Sequence, residues 1–139
     1  MTHLTREPID YHALTEQVRS PRCGAVVLFL GTVRDLTGDE VTEFLEYEAY
    51  EPMAEMNLAR IERDAREKWS IGEIRIVHRL GRLAVSDISV AVVVSSPHRA
   101  EAFEAARWAM DRVKEVVPVW KKDQPPVGPA EWKHPGEML

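Results

Sequence analysis

The chain has little of what several large function classes require. Of its 139 residues only Cys23 is a cysteine. One cysteine closes no internal disulfide, and no Cys/His cluster has the spacing of a zinc site. The seven glycines form neither a phosphate-cradling P-loop nor a dinucleotide fingerprint. Positive charge is not in excess: 18 Lys and Arg against 23 Asp and Glu leave a net charge of −5 at pH 7. That balance argues against nucleic acid as the main partner. No apolar run reaches membrane-spanning length, and no apolar signal region opens the chain, so a cytoplasmic protein without membrane contact is expected. Internal repeats and low-complexity linkers are missing too. What remains, 45% hydrophobic and 29% charged, is the composition of a globular protein. The length suits one domain over residues 1–139 with a real core. Any anion site must therefore be a local basic pocket in an acidic protein.

The periodicities give an element order. A short helical piece is expected around Tyr11 to Val18. Gly24 to Val33 reads as a strand buried on both faces, with Arg34 and Asp35 at its end. Leu36 to Val41 contains Thr-Gly-Asp and reads as a turn. Thr42 to Tyr50 has β propensity through Phe44, Tyr47 and Tyr50. Pro52 opens a helix whose stripe is Ala54, Leu58, Ile61, Ala65 and Trp69. Ile74 to Leu80 alternates as a strand does, Gly81 breaks it, and Ile88 to Val94 is a second buried strand. Ser96 as N-cap and Pro97 at the first position open another helix, with Phe103, Ala106, Met110, Val113 and Val117 as its apolar stripe. Pro118 ends it, Val119 and Trp120 can add a short strand, and the proline-rich tail from about residue 124 is irregular. The order β-β-α-β-β-α predicts an α+β sandwich, with helices packed on one face of a mainly antiparallel sheet.

Residues 95 to 123 carry most of the chemical signal. His98 and Arg99 fall at the start of the last helix, where free backbone N–H groups favour an anion. Cations there oppose the helix dipole unless an anion lies between them. Lys114 borders the apolar stripe, and partial burial would make its amine more nucleophilic. Lys121 and Lys122 follow Trp120. Each of these also has a plain reading as solvated charge. His78 shares a strand face with Ile76 and Leu80 and reads as a core or sheet histidine. Cys23 reads as a small residue before a strand, and His3, His12 and His134 carry little signal.

Five motifs occur in order: Gly24 to Asp35 ending Gly-Thr-Val-Arg-Asp, Leu45 to Met53, His-Arg-Leu-Gly at 78–81, Ser95 to Arg99, and Val117 to Lys122. Together they resemble the large, catalytic subunit family of molybdopterin synthase, over about residues 20 to 135. The resemblance implies an α/β-hammerhead fold and a sulfurtransferase. The implied substrate is cyclic pyranopterin monophosphate. Two sulfurs enter it to form the dithiolene of molybdopterin, in molybdenum cofactor biosynthesis. The implied sulfur donor is a small ubiquitin-like carrier subunit with a thiocarboxylate on its C-terminal Gly-Gly. A homodimer of the large subunit with one carrier at each end, a heterotetramer, is implied as well.

Residue by residue, the resemblance matches the family's arginine after the first buried strand to Arg34, with Thr32 and Val33 in the same turn. It matches the substrate-binding His-Arg pair to His98 and Arg99, and the helix lysine to Lys114. The lysine after Pro-x-Trp is Lys121, with Lys122 and Asp123 beside it. Lys122 stands where some relatives have arginine. Lys114 and Lys121 are the expected catalytic residues, acting on protons or developing oxyanions, and no metal or cofactor is required. Arg99 and Lys114 lie fifteen residues apart on one helix, about 22 Å along its axis. A small pterin spans that poorly, so an active site shared between two chains is expected. Two rival readings are a lysine Schiff-base enzyme acting on a phosphorylated carbonyl compound and a non-catalytic anion-binding module.

Overall fold

The computed structural model describes residues 2–134. In chain order the elements are β1 (Leu4–Thr5), α1 (Tyr11–Val18), β2 (Ala25–Thr32), β3 (Leu36–Thr37), β4 (Glu40–Val41), β5 (Phe44–Ala49), α2 (Glu51–Lys68), β6 (Glu73–Arg79), β7 (Gly81–Ala84), β8 (Ile88–Ser96), α3 (Arg99–Val116), β9 (Val119–Gln124) and β10 (Trp132–Lys133). The β-branched run of β8 is buried at every position after Ile88, as a strand covered on both faces must be. It lies inside a four-stranded sheet of order β1-β6-β8-β2. β8 pairs antiparallel with β6 and β2, and only the short β1 runs parallel to its neighbour.

Side chains alternate across this sheet. Ile74, Ile76, Val92 and Val94 join Leu58, Ile61, Ala105 and Ala109 in the main core under α2 and α3. Val77, Ala91 and Val93 point the other way, toward Ile9, Leu14 and Val18 beside α1. The two long helices thus cover one face, as the α+β sandwich reading expects, and the short α1 covers the opposite one. Asp10 caps α1 by accepting from the Ala13 N–H at 3.0 Å. A second antiparallel sheet, β10-β9-β5-β7, closes one side and sends Leu45, Tyr47, Leu83 and Val119 into the main core.

Several local expectations are corrected. Ser96 does not cap α3: it is fully buried as the last residue of β8, and the cap position is His98, with no side-chain cap bond. The strand continues through Ser96 because Ala25 pairs with it, and sheet pairing overrides the Ser-Pro start signal. The α3 stripe is rotated from the expected one. Ala102, Ala105, Ala106, Ala109 and Val113 face the core, while Phe103 is 61% exposed. Small residues let α3 lie close on the sheet, so the alanines rather than the phenylalanine define its inner face. The 36–41 turn is a small hairpin, β3–β4, around Gly38 at φ 61. Gly81, at φ 92, breaks the strand as expected, and there the chain passes from β6 in one sheet to β7 in the other. The tail is irregular from Pro125, as expected, except for β10 against β9; residues 135–139 lie outside the described ones.

His3 has a structural role that its polar surroundings in sequence hide. Its Nδ1 lies 2.9 Å from Glu55 and its Nε2 2.9 Å from the buried Glu62. Glu62 also accepts the Ile76 N–H at 2.8 Å and sits 3.6 Å from Arg75. This network ties the N-terminal strand to α2 and β6. The hydrogen bond to Glu62 raises the His3 pKa above 6.5, against an opposing effect of burial. A group raised on folding stabilises fully below its unfolded value and loses that contribution as pH rises through the folded value. We expect His3→Ala to cost about 2–4 kcal/mol near pH 6. The gap to the wild type should narrow toward pH 9. Urea midpoints at the two pH values check this, and an equal gap at both would contradict the charged pairing.

Candidate active site

The site begins where β2 and β8 fall out of register. Gly31 faces Val90 but Thr32 faces Ile88, so Ser89 is the extra residue of a bulge. A Cβ on Gly31 would meet Val90 Cγ1 at 2.7 Å, which explains a glycine in the middle of an apolar strand. Ser89 donates from its hydroxyl to the Gly31 carbonyl at 3.2 Å. Bulges re-aim the side chains that follow them. Beyond this one, Val33 drops into the core, its N–H bonded to Asp87 and its carbonyl to the Ser86 N–H. It anchors the strand exit, and Arg34 emerges next to it.

A cavity of about 370 Å³ opens at this point. Its cationic groups are Arg34, Lys114 from the end of α3 and Lys121 from β9. Thr32 and Thr37 add hydroxyls, and Phe29, Val90, Met110, Val113, Val117 and Val119 give apolar wall. Its remaining polar members are Tyr47, His78 and Ser89. Tyr47 lies directly across from Lys121 in the β5–β9 ladder, so both side chains leave the sheet on the same face.

Lys121 is a largely buried cation. Its side chain is only 16% exposed, and burial pushes its amine below the usual lysine range. The Asp123 carboxylate, 3.9 Å away, works in the opposite direction, while Arg34, Lys133 and Lys114 add to the depression. A lysine poised in this way is suited to proton transfer near neutral pH. Burial likewise holds the Tyr47 phenol above its usual range, with Ser89 opposing and Asp123 reinforcing. His78 is buried, and burial pulls its pKa down to about 4.

The expected site residues divide into three groups. Thr32, Arg34, Lys114 and Lys121 come together on the cavity. Val33, Lys122 and Asp123, expected to bind substrate, do not line the cavity; Val33 is buried in the core. Lys122 alternates to the other side of β9, with its amine 5.5 Å from the Trp132 ring, and Asp123 returns to the side of Lys121. One Asp123 oxygen is buried without a hydrogen bond, so its part in the site is the ion pair with Lys121. His98 and Arg99 are exposed and do not line the cavity. They follow Ser96, which pairs with Ala25 at the start of β2, whereas the cavity lies beyond Thr32 at its end. Within one chain the two halves of the expected site sit at opposite ends of the β2–β8 ribbon. Sequence reasoning did not assign Tyr47, His78 and Ser89 to the site. Two of them stood inside quoted motifs, but an aromatic and a histidine in strand patterns read first as core.

Among the described residues no group of three His, Cys, Asp or Glu side chains is arranged to hold a metal ion, and no helix is long and apolar enough to cross a membrane.

Comparison with known proteins shows the family. Residues 4–116 match the family model described as MoaE protein. The chain is 49% identical over 129 residues to the molybdopterin synthase catalytic subunit of Staphylococcus carnosus, covering 93% of this chain and 85% of that protein. The crystal structure of molybdopterin synthase from Staphylococcus aureus superposes with a TM-score of 0.90 at 45% identity, over 95% of this chain and 96% of that one. A complex of subunits 1 and 2 of molybdopterin-converting factor from Helicobacter pylori shares the fold, with a TM-score of 0.73 at 21% identity over 88% of this chain and 84% of that one. A match spanning most of the chain, at identities near one half, places it in one family: the chain belongs to the MoaE protein family, that of the molybdopterin synthase catalytic subunits.

Proposed function

We propose that the chain is the catalytic subunit of a molybdopterin synthase. In this reading it transfers sulfur from the thiocarboxylated C-terminal glycine of a small ubiquitin-like carrier to cyclic pyranopterin monophosphate. The convergence of Arg34, Lys114 and Lys121 on one partly apolar cavity carries the reading. Attack by the thiocarboxylate sulfur joins carrier and pterin as a thioester, and water adding to that thioester develops negative charge on the acyl oxygen. Release of the acyl group to water leaves a carboxylate on the carrier, and opening of the cyclic phosphate leaves a phosphate monoester. Every stage adds or moves negative charge, and fixed cations in a water-poor cavity stabilise such charge strongly. Lys121, with its lowered pKa, serves as the proton-transferring group. Lys114 and Arg34 hold the anionic parts of the two substrates. The cytoplasm, where thiocarboxylates persist without oxidation, is the compartment that suits this chemistry.

His98 and Arg99 join the site, in this reading, from a second copy of the chain. β2 is an edge strand of its sheet, and Val26 and Phe29 on it are exposed. Beside it, Phe103, Ala106 and Met110 line an apolar groove that shares Phe29, Met110 and Lys114 with the cavity. A long apolar edge strand of this kind is normally covered. A two-fold copy laid antiparallel along β2 covers it. The same operation carries the partner's Ala25 end, and the His-Arg pair beyond it, toward Thr32 and Arg34. The cations of α3 then gain the anion that a helix N-terminus favours.

The reading is tested by incubating the protein with a thiocarboxylated carrier and the pterin precursor. Mass spectrometry should find precursor converted to the dithiolene, with one carrier carboxylate formed per sulfur transferred. A carrier that keeps its sulfur while both substrates are bound would overturn the assignment.

A further inference from the structure

The cavity lining carries two kinds of polar group. One is cationic, and the assigned chemistry uses it. The other contains Tyr47, His78 and Ser89, to which that chemistry gives no part. His78 Nδ1 lies 2.9 Å from the Arg79 carbonyl oxygen. A carbonyl only accepts, so Nδ1 carries the ring's proton and Nε2 is a bare acceptor. Nε2 has no hydrogen-bond partner among the described residues. The ring is held in place by edge contact with Tyr47, with centroids 5.0 Å apart and planes at 72°. The hydroxyl hydrogen of Ser89 goes to the Gly31 carbonyl. His78 therefore brings to the cavity lining a ring nitrogen whose lone pair no protein donor takes up.

We propose that His78 is a specificity-determining residue that accepts a hydrogen bond from the amino-bearing edge of the pterin, and that this contact fixes which end of the substrate points into the cavity. The proposal rests on the sulfur-transfer reading and deepens it. The bare Nε2 lone pair of a neutral His78 repels phosphate, carboxylate and thiocarboxylate oxygens alike. Those anions stay with Arg34, Lys114 and Lys121. A reduced pterin carries amino and ring N–H donors on the edge away from its phosphate ring, and these complement His78. A volume of about 370 Å³ is within the range of small-molecule sites. A buried acceptor left unpaired is costly, so the contact discriminates against ligands lacking the donor. A peptide N–H of the carrier tail is the other available donor, and the test separates the two sources.

The test is equilibrium binding of cyclic pyranopterin monophosphate to the full-length protein, followed by pterin fluorescence, with carrier binding measured in parallel. His78→Asn keeps an N–H near the Nδ1 position to hold the Arg79 carbonyl but removes the acceptor. It should bind the pterin about ten- to a hundredfold more weakly and the carrier as the wild type does. His78→Gln, whose amide reaches the Nε2 position, should recover much of the loss. A pterin analogue lacking the 2-amino group should bind the wild type more weakly by a similar factor, and should bind His78→Asn no worse than the natural pterin does. The analogue arm on the wild type stands even if His78→Asn does not fold. Equal wild-type affinity for pterin and analogue would overturn the proposal, as would a loss confined to carrier binding. A wild type that binds no pterin would instead count against the sulfur-transfer reading itself.

Discussion

Replacing Lys121 with alanine should slow dithiolene formation by about a thousandfold while the fold persists. Burial is the largest cause of a lowered pKa at Lys121. Its amine is close enough to Arg34 and Lys114 for both to depress it further. Any proton moved during acyl release or ring opening moves near this amine. Truncation also leaves Asp123 as a partly buried carboxylate without its ion pair, which adds negative charge where the substrates already carry it. The fold survives because the side chain borders a cavity and the β5–β9 ladder is made by backbone groups. Lys114→Ala should also lose most activity. Lys122→Ala should lose much less, since its amine lies over Trp132 on the other side of the strand. Single-turnover rates at saturating carrier, with circular dichroism as the fold control, decide this. Near-normal turnover in Lys121→Ala, or a larger loss in Lys122→Ala, would move the catalytic amine elsewhere.

Much of the architecture was legible because long elements bury regular patterns. The α2 stripe of Ala54, Leu58, Ile61 and Ala65 faces the core as its spacing requires, and the apolar runs of β2 and β8 pair with each other. What the sequence concealed depends on contacts between distant segments. Ser96 is a good cap in isolation, but pairing with Ala25 keeps it in a strand. Phe103 is the most apolar residue of early α3, yet alanines allow the closer approach to the sheet. The bulge at Gly31 has no local signature that distinguishes it from an ordinary strand glycine, and without it Ser89 would not reach the cavity. In the site, Arg34, Lys114 and Lys121 were identified by their resemblance to family positions, and the structure brings them together. His98 and Arg99 illustrate the opposite case. Their motif was readable, but only the β2–β8 register shows that they stand at the far end of the ribbon from the cavity. His78 is the buried strand histidine its pattern indicates; that it also borders the cavity depends on contacts between distant segments.

The central claim is that each working site combines the cavity of one chain with the His-Arg pair of another. Arg99 and Lys114 point to roughly the same side of α3, since fifteen residues turn the helix to within about 60° of its starting direction, but about 22 Å separates them along the axis. Two-fold pairing along β2 removes that separation. Arg99→Ala and Lys121→Ala should each be nearly inactive as homodimers. The decisive measurement is the sulfur-transfer rate of their heterodimer, purified with two different affinity tags after the chains are mixed and re-dimerised. One of its two sites combines the intact Lys121 of the first chain with the intact Arg99 of the second, and the other carries both defects. The account predicts about half the wild-type rate per dimer. A purified heterodimer as inactive as its parents would contradict it, because sites contained within single chains would each retain one defect.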